Sequence, residues 1–221
     1  MSRYVVIDLE MCNVPKEYRK GTYRRASEII QIGAVLLDEN LEIEASFMTY
    51  VSPEYGFVDD FIKNLTGITQ KDVQGAPNLQ EALQAFVAWL PVGVTVVSWS
   101  MTDAIQIQRE TEAKSISIDG LEEILGNWVD SQKMFTEKMH STRCYKLSEA
   151  LVAADIIYED GAHDGLVDAH NTALLFAKML REPELVLNTY YKKAITGEES
   201  SSGFCLGSLF AGLDLSGLAV A

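Results

Sequence analysis

Within ten residues of the start, an unbroken β-branched and aromatic run, Tyr4-Val5-Val6-Ile7, is closed by two acids, Asp8 and Glu10. A continuous run of this kind reads as a strand covered on both faces. The two-residue period of a strand puts both carboxylates on one face, roughly 7 Å apart. Anions that close at the edge of a core repel, and each loses hydration worth several kcal/mol unless a cation offsets it. A hard divalent metal, which takes oxygen ligands, is the simplest such cation. The alternative is that the strand has ended and both acids are solvated; the pair alone leaves both readings standing.

Composition limits what could surround that pair. A net charge of −14 and a pI near 4.6 exclude a generally basic nucleic-acid wrapper. They leave room for a nucleic-acid enzyme in which a metal cluster and a small basic patch supply the positive field locally. One such patch is visible. Met11 to Ser27 reads as a loop carrying Lys16, Arg19, Lys20, Arg24 and Arg25, with Tyr18 and Tyr23 interleaved, in a chain with only 18 basic residues. Its place after the acids makes Arg19 and Arg24 candidates for phosphate contact, with the tyrosines on sugars or bases. A merely solvated loop is the other reading. The three cysteines (Cys12, Cys144, Cys205) are scattered, which predicts reduced thiols, a cytoplasmic setting and no zinc site. A strand beginning almost at Met1 leaves no room for a signal peptide.

The length, 221 residues, suits one domain with some surplus. Glu28 to Leu37 is a second strand, Asp38-Glu39-Asn40 a turn, and Leu41 to Val51 a third strand. Helices are predicted from Asp59 to Leu65, and from Asn78 until Pro91 stops the chain, with Leu79, Leu83, Phe86, Val87 and Leu90 on one face. Val92 to Trp99 and Trp128 to Asp130 are further strands. Asp103–Lys114, Leu121–Leu125, Gln132–Met139, Lys146–Ala154, Asp164–Leu180 and Pro183–Ile195 are further helices. A strand meander followed by alternating helices and strands predicts an α/β fold, a mixed five-stranded sheet flanked by helices. The domain is expected over 1–196. Residues 197–221 turn Gly/Ser-rich and apolar, with Asp214 inside the run, which argues against a membrane anchor. They are expected to be disordered or loosely docked, or to serve self-association or a protein partner through Phe204, Leu206 and Phe210.

Two further places bear chemistry. Asp103 lies just beyond the fourth strand, where the loops of an open α/β sheet gather, although an acid in a first helical turn needs no function. In Gly161-Ala162-His163-Asp164-Gly165-Leu166-Val167-Asp168, Asp164 can cap the helix. Asp168 shares a helical line with Thr172, Leu175 and Met179, the side that packs on the sheet. His163 precedes that inward acid by five residues. His140 and His170 have no such context and read as surface or packing residues.

Taken together, Asp8-Leu9-Glu10, the stretch Glu28 to Val35, Asp103, and His163 with Asp168 resemble the DEDD superfamily of 3′–5′ exonucleases in its DEDDh branch, over about residues 3 to 181. Leu65 to Thr69 and Trp128 to Lys133 are most similar to the subgroup that contains the histone-mRNA 3′-end exonuclease and a bacterial sporulation-pathway relative. The resemblance implies a ribonuclease H-like fold and two Mg²⁺ or Mn²⁺ ions. It implies that Asp8 bridges the ions, that Glu10 and Asp168 hold the one carrying the attacking water, and that Asp103 supports the other. It makes His163 the general base, a role suited to an imidazole near neutral pH. It also implies that the backbone of Met11 and Cys12 faces the terminal 3′ nucleotide, with Met11 against its base. One position departs from the pattern: Trp99 stands where many relatives carry Asn, so a substrate contact there differs. The expected activity is hydrolysis of single-stranded RNA or DNA from 3′ ends to nucleoside 5′-monophosphates, with no membrane partner. A non-catalytic nucleic-acid-binding or regulatory protein on the same fold is the alternative.

Overall fold

The first strand, β1 (Tyr4–Asn13), pairs on both sides in the computed structural model, which describes residues 3–19, 23–158, 161, 163–189 and 191. On one side β2 (Ser27–Leu37) runs antiparallel, with β3 (Ile43–Tyr50) antiparallel beyond it. On the other, β4 (Thr95–Ser98) and then β5 (Trp128–Asp130) run parallel to β1. The order β3-β2-β1-β4-β5 is the mixed five-stranded sheet expected from the sequence. The position of β1 inside the sheet is why its apolar run does not alternate: Val5, Val6 and Ile7 are all fully buried. The edge strand β3 does alternate between half-buried and exposed residues.

Each face is covered by helices. Val5, Ile7 and Leu9 pack under α3 (Leu79–Trp89), whose Leu79, Ala82, Leu83 and Phe86 form its buried stripe, together with Ile107 of α4 (Thr102–Lys114) and Leu121 of α5 (Leu121–Gly126). Asn78 caps α3, its side chain accepting the Glu81 N–H at 3.0 Å, and Pro91 prevents its extension. On the opposite face Val6, Val35 and Val97 meet Phe135 of α6 (Ser131–Lys138), Leu151 of α7 (Leu147–Ala153) and Leu175, Phe176 and Met179 of α8 (Gly165–Arg181). The short α1 (Asp60–Thr66) and α2 (Gln70–Val73) bury Ile62 and Val73 with Ile30 and Cys12 near the far end of the β1–β2 hairpin.

Two expectations need correction. Met11–Ser27 is not all loop: β1 continues to Asn13 and β2 starts at Ser27. A bulge between Glu10 and Met11 absorbs the register change, so pairing resumes at Met11 opposite Ile29. Nor does the helix expected over 183–195 start at Pro183: residues 183–188 run as bends and irregular chain and helix is described only at 189 and 191, while residue 190 and 192–195 lie outside the described residues. The Asn188 N–H bonds to the Ala153 carbonyl instead of to a helical turn, which accounts for the later start. The expected tail, 197–221, and Cys205 within it also lie outside the described residues. Among the described residues, no helix is long and apolar enough to cross a membrane.

Candidate active site

Where β4 stops at Ser98, β1 loses its parallel neighbour, and the Leu9 N–H would be left without an acceptor. Asp103, in the first turn of α4, accepts it at 3.3 Å and is thereby buried beside β1. Asp8 and Glu10 leave β1 on the face covered by α8. Asp164 caps α8 by accepting the N–H groups of Leu166 and Val167 at 2.9 and 3.2 Å. One turn on, an Asp168 carboxylate oxygen accepts the His163 N–H at 2.8 Å. His163 itself sits at a φ of +70°. Donor atoms of Glu10, His163 and Asp168 lie within 4.8 Å of one another.

The distance between the two halves of this cluster is set by residues that pattern reading passed over. Gly33 pairs with Asp8 across the hairpin, and Gly165 rests directly on that pair. A Cβ on Gly33 would lie 2.2 Å from the Gly165 carbonyl carbon, and a Cβ on Gly165 would lie 3.1 Å from the Asp8 carbonyl oxygen. The buried Gln31 side chain accepts the Gly165 N–H at 2.8 Å. The available signal was a glycine inside an otherwise apolar strand, which marks close backbone approach.

The electrostatics are those of crowded anions. Burial first, then Asp103, Asp168, Glu10 and Asp164, push the Asp8 carboxyl well above the ordinary range. Burial, then Asp168, Asp164 and Asp103, push Glu10 up to about 8. Burial pushes Asp103 up to about 7, against the hydrogen bonds it accepts. Asp168 is raised by burial and partly relieved by His163. Among the described residues no lysine or arginine forms an ion pair with any of the four. Such a set of carboxylate oxygens can hold hard cations or share protons.

These five residues open onto a cleft of about 810 Å³. Met11 and Trp99 line it, as does Leu65 of the stretch quoted above for its resemblance, and so do Tyr158 and Asn171, which the sequence did not single out. Cys12, Arg19 and Arg24 are not among its lining residues. The Cys12 side chain is buried with Ile30 and Val58, and the Arg19 guanidinium donates to the Val14 carbonyl at 2.8 Å. A second hollow of about 840 Å³ beside α4 and α5 contains none of the predicted residues.

The exonuclease family profile (RNase_T) matches residues 5–176, an interval that contains all five chemistry-bearing residues. The chain belongs to the DEDDh exonuclease family. Within this exonuclease family, the nuclease domain of 3′hExo, described as a DEDDh family member bound to rAMP, superposes with a TM-score of 0.69 at 26% identity, over 85% of this chain and 96% of that one. ERI1 exoribonuclease 2 of Danio rerio is 34% identical over 203 residues, 80% of this chain and 35% of the relative. The human 3′-5′ exoribonuclease 1 is 29% identical over 70% of this chain and 47% of the relative. The chain thus spans about a quarter to a third of the length of the ERI1 exoribonuclease 2 relatives it matches.

Proposed function

We propose that this protein is a divalent-cation-dependent 3′–5′ exonuclease that removes nucleoside 5′-monophosphates from single-stranded 3′ ends, with RNA as its preferred substrate. The observation that carries the reading is the convergence of Asp8, Glu10, Asp103, His163 and Asp168, drawn from three distant stretches of chain, in one open cleft. The exoribonuclease names of the relatives and the ribonucleotide bound to 3′hExo favour RNA over DNA.

The donors fit a hard cation: four carboxylates crowded without a lysine or arginine partner among the described residues, their proton affinity raised by burial and, for Asp8 and Glu10, by one another. Asp8, Glu10, Asp103 and Asp168 would hold Mg²⁺ or Mn²⁺, two per site. When bound, these ions polarise the phosphodiester and make water a stronger nucleophile. His163 takes the proton of the attacking water as its oxygen bonds to phosphorus and the bond to the 3′ oxygen of the preceding nucleotide breaks. Met11 and Trp99 line the space for the terminal nucleoside. Free Cys12 and Cys144 suit a reducing, cytoplasmic setting.

The test is a 5′-labelled oligoribonucleotide and its DNA counterpart, incubated with Mg²⁺ or Mn²⁺, with and without chelator. Stepwise shortening from the 3′ end, blocked by chelator, is expected. Asp8→Asn should abolish it and His163→Ala should slow it by roughly 10²–10⁴-fold, both with unchanged circular dichroism. Binding of either strand without any shortening would make the chain a nucleic-acid-binding protein on a nuclease fold.

A further inference from the structure

Acids line the cleft, and a single-stranded substrate brings a phosphate for every nucleotide, so the strand needs a cation for the phosphates that the acids do not serve. Among the described residues of the basic loop that follows β1, none of Lys16, Arg19, Arg24 and Arg25 lines the cleft. Of the described lysines and arginines, only Lys146 lines it. Its side chain is exposed, and none of the hydrogen bonds or ion pairs among the described residues engages its ammonium.

The backbone beneath Lys146 is held from several sides. Gln132 Nε2 donates to the Tyr145 carbonyl at 2.7 Å, and the buried Tyr145 ring meets Phe135 edge-on with centroids 5.1 Å apart. The Arg143 guanidinium lies over that ring at 4.8 Å and pairs with Glu149 at 2.7 Å. Glu149 also accepts the Lys146 N–H at 3.1 Å. Arg143 is thus spent on holding the loop and pairing with Glu149, whereas Lys146 extends from a fixed backbone and feels Glu149 only at a distance, with no ion pair among the described residues. Fixing the backbone from which the ammonium extends lowers the entropy cost of meeting an anion and leaves no ion pair to break.

We propose that Lys146 is the phosphate-binding residue of a second subsite: it holds the phosphodiester on the 5′ side of the scissile one, and so makes the enzyme prefer chains to dinucleotides. This rests on the exonuclease reading above. Its ligand is the backbone phosphate of a single strand, with no contribution to base choice.

The test compares two substrates with the full chain in Mn²⁺: a dinucleoside monophosphate, which has only the scissile phosphodiester, and a twelve-residue single strand. For Lys146→Ala, KM on the twelve-mer should rise roughly three- to tenfold with kcat within twofold, and log KM should depend on log salt less steeply by about one. Turnover of the dinucleotide should show at most a small part of that loss. Lys146→Arg should recover most of the twelve-mer KM, since it keeps the charge. Equal losses on both substrates, or an unchanged KM and salt slope on the twelve-mer, would overturn the subsite. Failure of the wild-type chain to cleave either substrate would overturn the exonuclease reading itself, and the subsite with it.

Discussion

The backbone of His163 lies in the left-handed region, where a residue with a side chain costs about 1–3 kcal/mol. Asp168 offsets that cost by accepting the His163 N–H. One carboxylate therefore sets the histidine's place and also belongs to the acid cluster. The crowding of that cluster has a measurable sign. Glu10 is pushed up to about 8 and Asp103 up to about 7, so without cations the folded chain binds more protons than the unfolded one. Their contribution to stability is fully present below the ordinary carboxylate range, about pH 4, and is lost as pH rises toward 8. In chelator, the thermal midpoint should fall between pH 5 and pH 8, and added Mg²⁺ or Mn²⁺ should raise it more at pH 8 than at pH 5. A midpoint indifferent to cation at pH 8 would contradict the grouping of these acids as a cation site.

Helix α8 is the element on which the site depends, and its seat is the crossing of Gly165 over Gly33. A methyl at Gly33 meets backbone that has nowhere to go, so Gly33→Ala should displace the start of α8, cost about 1–3 kcal/mol by overpacking and reduce turnover sharply. Gly126→Ala, at a position with no neighbouring atom within 4 Å of the added carbon, is the control and should leave turnover as it is. Denaturant melts and turnover measured on both variants check this. The strand acids and the inward line of Asp168 were readable because period-two and helical spacing assign faces directly. Gly33 within its apolar strand signals a close approach, but what it meets is not readable, because the seat joins residue 33 to residue 165 and no local pattern encodes that contact. The same holds for Glu28, quoted above only as part of a strand. It is fully buried, accepts the N–H groups of Glu54, Tyr55 and Gly56, and pairs with Lys114 at 2.6 Å, a partner 86 positions away. The extension of β1 past Glu10 escaped notice for a different reason: polar Asn13 and a bulge break the alternation by which strands are recognised.

At the scale of the whole molecule, a net charge of −14 sets the terms on which a polyanion is met. With one basic residue lining the described cleft, few counterions are released on binding. Affinity of Asp8→Asn for a labelled single strand, read by fluorescence anisotropy, should fall with salt at a log–log slope of about −2 or shallower. A slope near −5 would instead demand a long basic track. The net charge argues against such a track, and the basic clustering that drew attention to Arg19 and Arg24 lies, among the described residues, outside the cleft lining. The sheet order has one more consequence. The first acids belong to β1 and the last essential groups to the start of α8, which seats on β1 and β2. The acid cluster is therefore incomplete until α8 has been made and has docked on β1 and β2, so the hydrolysis proposed above would be deferred until late in the chain's own synthesis.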